Sequence, residues 1–212
     1  METTPPEVKP PFPPGHEPDE PRGVTSPARI VLPPEIAQRV RAFDDAVDRA
    51  LDRVRGRPAV DRTMYVLSEL ADFSLLWHLL GVAQAAAGRR TVKDAVRLSA
   101  VLGVESLLVN GGIKSLFRRV RPEPETPRPY NLRRPLTSSF PSGHASAAFT
   151  AASMLSERSS SWPLHYGLAG LVATSRIHVK IHHASDVVGG AAIGLALGHT
   201  VRRLWPREHR RE

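Results

Sequence analysis

The chain of 212 residues has no cysteine. That excludes a disulfide framework, a thiolate metal site and a cysteine nucleophile. Aromatic residues are scarce at 6% and are not interleaved with the basic ones. No helix-turn-helix, zinc-finger or base-stacking pattern is present, so nucleic acid is not an expected partner. The N-terminus lacks a basic start followed by an apolar run, so no secretory signal peptide is expected, and membrane insertion would rest on internal segments. No stretch alternates as a strand does.

The length suits one domain with a substantial core plus a tail. The net charge of +8 is unevenly spread. Residues 1–63 carry 10 Lys/Arg and 11 Asp/Glu, whereas residues 64–212 carry 19 and 10. The excess of positive charge in the second part favours an anionic partner, either phosphate groups or a membrane surface.

Residues 1–34 hold 11 of the 20 prolines and are expected to form a solvated, disordered tail. A helix is expected from 35 to about 55, where Ile36, Val40, Phe43, Val47, Leu51 and Val54 form an apolar stripe. Such a helix either lies on a membrane surface or packs on its neighbours. Apolar helices are expected over 64–87, 92–119, 143–155, 163–179 and 186–204, the last capped by Ser185. The glycine density of 186–204 is unfavourable in a soluble helix and common in membrane helices. The expected fold is therefore all-α, a bundle of five to six helices, membrane-embedded. The domain spans 35–205, with a basic tail at 206–212. Arg89, Arg90, Lys93, Arg158 and the C-terminal arginines fall at the end away from the polar clusters described next. By the positive-inside rule that end would be cytoplasmic.

Three polar clusters stand out. Lys114 and Arg121-Pro122 are seven residues apart, so on a continuing helix the two cations share a face and can grip a multi-oxygen anion. Pro141-Ser142-Gly143-His144 lies where loop becomes helix. Ser142 is a suitable N-cap, Gly143 lets backbone N–H groups approach a ligand, and a helix N-terminus attracts anions. Finally, Ser175-Arg176 is followed by His182 and Asp186, four residues apart. The carboxylate can fix the imidazole tautomer, leaving the other nitrogen as a nucleophile. His178, His182 and Asp186 also have helical metal-ligand spacing, an alternative that three nearby cations disfavour. Taken alone, the first cluster reads better as a solvated basic helix end, with Arg118 and Arg119 beside it, and the second as a capped helix with an incidental histidine.

Together the clusters suit phosphoryl transfer. Lys114, Arg121, Arg176, Ser142 and the Gly143 amide would hold the phosphoryl oxygens. His182, oriented by Asp186, would attack phosphorus, and His144 would protonate the departing oxygen and then activate water. No metal or other cofactor is expected.

In these motifs the chain resembles the type 2 phosphatidic acid phosphatase superfamily. The family's patterns are Lys, six residues, Arg-Pro; then Pro-Ser-Gly-His; then Ser-Arg, five residues, His, three residues, Asp. All three match with family spacing. The resemblance implies a helical bundle and metal-independent hydrolysis of a phosphomonoester or pyrophosphate, usually a lipid phosphate of the phosphatidate or polyprenyl type. It also implies a multi-pass protein of the cell membrane. Where the family often has an aromatic and a proline after the nucleophile, this chain has His183 and Ala184, and Lys180 stands where glycine is common. These departures bear on the substrate. The alternatives are a vanadium-dependent haloperoxidase, which shares the pocket, and a non-catalytic membrane lipid-binding protein. The sequence does not specify oligomeric state.

Overall fold

Helix α5 (Gly143–Leu155) is the axis of the molecule, because its small residues let other helices close around it. From Ala145 to Leu155 every residue except Phe149 is buried. The computed structural model describes residues 32–124, 128–133, 135 and 137–207. Within them the other helices are α1 (Pro34–Asp52), α2 (Pro58–Leu70), α3 (Leu75–Ala86), α4 (Val92–Ser106), α6 (Trp162–His178) and α7 (Ala184–Leu204). No strand occurs among the described residues. The expectations for 1–31 and 208–212 lie outside them.

Helix α7 lies closest to α5. A Cβ placed on Gly190 would sit 2.3 Å from the Ser142 carbonyl oxygen, and one on Gly194 would sit 2.2 Å from that of Ser146. The i, i+4, i+8 series Gly190, Gly194, Gly198 is thus the face that lets two backbones touch. Thr150 Oγ1 adds a hydrogen bond to the Gly194 carbonyl at 3.2 Å. On the other sides, Leu98, Val101 and Leu102 of α4, Trp77 of α3, and Ala169 and Val172 of α6 complete the main core. Apolar side chains such as Leu79, Val82, Val104, Leu164 and Val188 point outward and exposed. The segments Val92–Leu116 and Ala184–Leu204 are long and apolar enough to cross a membrane; α2 and α3 would count as a third span if taken together across their 67° bend.

The described helices number seven rather than five to six, because the apolar run 64–87 is broken. A 3-10 turn, Asp72–Ser74, separates α2 from α3, with Phe73 and Ser74 at φ 52° and 59°. Left-handed backbone at a non-glycine costs on the order of 1 kcal/mol per residue. The bend brings the Asp72 carboxylate to His144, a contact that offsets part of that cost. The expected helix 92–119 also ends early. After Ser106 it widens into a π turn (Leu107–Gly112), tightens into a 3-10 turn (Ile113–Leu116), and is extended by Phe117. Gly111-Gly112 weakens the helix there. Lys114 and Arg121 therefore do not share a helix face, and Arg121 reaches inward from an extended strand of loop. The cap of α7 is His183 rather than Ser185, because the Asp186 carboxylate accepts from the His183 N–H in a capping box.

Helix α1 packs on the bundle. Val47 and Leu51 rest against Ala145, Ala173, Ile177, Ala184 and Val187. At the end of the bundle away from the motifs, Arg90 bonds the Leu155 carbonyl, Arg97 pairs with Glu157 at 2.8 Å, and Arg207 pairs with Asp94 at 3.0 Å. Part of the basic cluster at that end thus ties the α3–α4 turn to the C-termini of α5 and α7.

Candidate active site

The three motifs converge at the opposite end, around the N-termini of α5 and α7. A cavity there of about 410 Å³ is lined by Lys114, Gly143, His144 and His182, with Asp72, Glu105 and Asn110 among the other walls.

His182 sits in the tight link between α6 and α7 and is 2% exposed. Its Nδ1 faces Asp186 Oδ2 at 3.5 Å, the outer limit of a hydrogen bond. Its Nε2 lies 3.2 Å from Arg121 Nη1. A guanidinium only donates, so Nε2 carries a lone pair and the proton is on Nδ1, toward the carboxylate. Burial pushes the imidazole down to about 3, with the Arg176 and Arg121 charges adding to the shift and Asp186 opposing it. The ring is neutral, with its lone pair on Nε2 facing Arg121.

Asp186 is fully buried. Oδ2 accepts from Ser139 Oγ at 2.5 Å and from the His183 N–H at 2.9 Å. Oδ1 accepts from Arg119 Nη1 at 2.6 Å. The Asp186 carbonyl takes the Ser142 N–H at 2.9 Å, which joins the start of α7 to the start of α5.

Among the predicted anion-binding groups, Lys114 is 7% exposed and within electrostatic range of Arg121 and Arg176. Arg121 is braced by the carbonyls of Thr137, Ser138 and Ile181, so its guanidinium is held beside His182. Arg176, 1% exposed, is held by the Ser68 hydroxyl of α2, and its Nε has no partner among the described residues. Gly143 lines the cavity, and a Cβ there would meet Asn110 Oδ1 at 2.8 Å. Ser142 is the exception. Its hydroxyl, fully buried, accepts from the Ala145 N–H at 3.4 Å, so it builds the helix start. His178 pairs with Asp61 at 2.8 Å, so the His178–His182–Asp186 metal set is not assembled.

Four further residues belong to the site. Asp72 Oδ1 lies 2.8 Å from His144 Nε2; its sequence signal was a carboxylate inside an apolar run. Ser139 bonds Asp186 as described. Arg119, which in the sequence reads as part of a solvated basic helix end, joins Asp186 to Asp44 of α1, the latter at 2.5 Å. Asp44 falls on the apolar stripe, four after Val40 and three before Val47, and is 5% exposed. That position was its signal.

A chain-wide family comparison agrees with the motifs: the model of the PAP2 superfamily matches residues 94–210. The chain belongs to the PAP2 superfamily. It is 34% identical over 146 residues to the decaprenylphosphoryl-5-phosphoribose phosphatase of Mycobacterium tuberculosis, spanning 68% of this chain and 80% of that one. To the phosphatidylglycerophosphatase B of Bacillus subtilis it is 28% identical, over 77% of this chain and 83% of that one. The crystal structure of a transmembrane PAP2 type phosphatidylglycerolphosphate phosphatase from B. subtilis superposes with a TM-score of 0.63 at 25% identity, covering 82% of this chain and 90% of that one. This PAP2 protein is therefore an all-α phosphatase that hydrolyses phosphate esters; its named relatives act on lipid phosphates, and two of its helical segments are long and apolar enough to cross a membrane.

Proposed function

We propose that this PAP2 phosphatase works without a metal through a phosphohistidine on His182. The observation that carries the reading is the polarity of that ring, with its Nδ1 side on Asp186 and its lone-pair nitrogen beside Arg121. In the first step Nε2 attacks phosphorus and the ester P–O bond breaks. Burial and the Arg176 charge hold the His144 ring down to about 4 in the free site against the opposing pull of Asp72; the negative charge of a bound phosphate adds to that pull, so the ring takes up its second proton with substrate in place and gives it to the departing alkoxide. In the second step His144 takes a proton from water, the hydroxide attacks phosphorus, the P–N bond breaks, and inorganic phosphate leaves. Lys114, Arg121, Arg176 and the N–H groups at the start of α5 stabilise the equatorial oxygens throughout.

For the substrate we infer a polyprenyl lipid whose polar head is a phosphorylated pentose. The 34% relative acts on a lipid of that name. Beyond the phosphate cradle the cavity continues along polar side chains, among them His78, Ser99, Glu105, Ser106 and Asn110. A hydroxylated ring would find partners there, whereas an acyl-glycerol head needs few. We place the protein in the cell membrane as a multi-pass bundle, with the basic end cytoplasmic and the cavity on the outer side.

The test is purified protein in detergent with EDTA present. Phosphate release is expected from polyprenylphosphoryl-5-phosphoribose well above that from phosphatidylglycerophosphate or phosphatidate. An acid-labile, base-stable phosphoryl label should appear on the wild type and be absent from His182→Ala. Hydrolysis surviving in His182→Ala would refute the mechanism, and equal rates on all three lipids would refute the substrate.

A further inference from the structure

We propose that Arg119 is a positioning residue for the catalytic carboxylate, and that Asp44 of α1 sets how Arg119 holds it. The inference rests on the phosphohistidine reading and goes beyond it.

One guanidinium here serves two carboxylates. Nη1 donates to Asp186 Oδ1 at 2.6 Å and to Ser185 Oγ at 2.7 Å. Nη2 donates to Asp44 Oδ2 at 2.5 Å. Asp44 in turn accepts from the Ser185 N–H at 2.7 Å and from its hydroxyl at 3.0 Å. Asp44 is thus anchored to the first turn of α7, one residue before the carboxylate it acts upon.

This division of the fork has a chemical consequence. Arginine prefers to grip a carboxylate with both arms. With Asp44 absent, both arms of Arg119 are free to close on Asp186 and draw Oδ2 away from the nucleophile. With Asp44 present, Arg119 holds Asp186 through Oδ1 alone. Oδ2 then stays turned to Ser139, the His183 N–H and His182 Nδ1. The arrangement keeps the carboxylate fixed while leaving the oxygen that orients the imidazole uncommitted to a cation.

Helix α1 and the turn that follows it grip the end of α6 and the nucleophile link at two more points. Asp48 pairs with Lys180, and Arg55 donates to the carbonyls of Ile177 and His178 at 2.9 Å each. Contacts from α1 and the turn after it therefore bracket His182 from residue 177 to residue 185. In the sequence α1 reads as an amphipathic leader; in the fold it is part of the catalytic apparatus.

The test is turnover and product inhibition in detergent for Asp44→Asn, Arg119→Gln and the double variant. Inorganic phosphate binds the cradle of Lys114, Arg121 and Arg176, which this relay does not touch. Arg119→Gln is expected to lower kcat roughly 10- to 100-fold, by analogy with the loss of a group that orients a metal-bound histidine. Its phosphate inhibition constant should move less than about threefold, on the order of 0.6 kcal/mol. Asp44→Asn should lose a smaller factor, and the double variant should be no slower than Arg119→Gln, because Asp44 acts through Arg119. Arg119→Lys, which keeps the charge and lacks the fork, replaces the glutamine variant if the latter does not fold; it too should lose kcat and keep phosphate inhibition. Unchanged kcat in the Arg119 variant, multiplicative losses in the double variant, or a loss shared equally by phosphate binding would overturn the proposal. If His182→Ala also retained hydrolysis, the failure would lie with the phosphohistidine reading instead.

Discussion

His144 Nε2 and Asp72 Oδ1 are 2.8 Å apart, although 72 residues separate them in the chain. The left-handed turn at Phe73-Ser74 aims the carboxylate at the ring. An imidazole that must donate a proton benefits from a carboxylate that stabilises its charged form. Asp72→Asn is therefore expected to slow hydrolysis of an alkyl phosphate about 10- to 100-fold, less than the roughly 100- to 10,000-fold of a general acid itself because Asp72 acts through His144. With p-nitrophenyl phosphate, whose leaving group needs no proton, the loss should shrink to a few-fold. Equal losses on the two substrates would contradict a role in leaving-group protonation.

Glu105 tests the substrate. It is 2% exposed, lines the cavity, and its Oε1 has no hydrogen-bond partner among the described residues. A buried carboxyl oxygen without a partner is costly unless something fills it. A sugar hydroxyl would do so. Glu105→Ala should lower kcat/KM for polyprenylphosphoryl-5-phosphoribose about 3- to 10-fold, the net worth of one hydrogen bond. Activity toward phosphatidate should change far less. A uniform loss across both lipids would instead make Glu105 a partner of Lys114 in the phosphate cradle.

The ionisation of His182 gives a spectroscopic prediction. A free imidazole titrates near 6.5, and burial holds this one at about 3. Its ring should remain in the neutral, Nδ1-protonated form down to about pH 5. Histidine nitrogen resonances of labelled protein, assigned by their loss in His182→Ala, would show this. A midpoint near the ordinary histidine value would contradict it. The sign for stability follows. Because the folded value lies below the unfolded one, this neutral ring contributes stability above about 6.5, and that contribution fades as pH falls toward about 3.

The parts of the site legible in the sequence were those with fixed local spacing. His182 and Asp186 bracket one turn, and Ser142-Gly143-His144 builds a helix start, so their geometry was set by neighbours in the chain. The α7 glycines were readable as a membrane-type face for the same reason. What escaped was long-range. Arg119 is one of three arginines within 118–121, and nothing local distinguishes the arm that meets Asp44, 75 residues earlier, from a solvated one. The shared face expected for Lys114 and Arg121 failed because the helix ends at Leu116 and the backbone is extended at Phe117, so no helix joins the two. Convergence survived, since backbone carbonyls of the loop and the nucleophile link hold Arg121 in place.

The last prediction concerns the contact that keeps the two halves of the site in register. His144 leads α5 and Asp186 leads α7, and the distance between those helices is set by glycine. At Gly194 an added Cβ would lie 2.2 Å from the Ser146 carbonyl oxygen and 3.0 Å from the Thr150 nitrogen. Both are backbone atoms of α5, so no side chain can swing aside, and the helices must separate. Overpacking of this kind costs about 1–3 kcal/mol. Gly167 of α6 is the control, since a Cβ there meets nothing within 4 Å. Alanine at 167 should leave melting unchanged or raise it slightly, by the roughly 1 kcal/mol that separates alanine from glycine in a helix. Gly194→Ala should melt lower in detergent, as followed by helical ellipticity, and should also lose turnover, because moving α7 carries Asp186 and the Ser142–Asp186 backbone bond with it. Equal melting of the two variants would mean that the α5–α7 approach is not held by this glycine face.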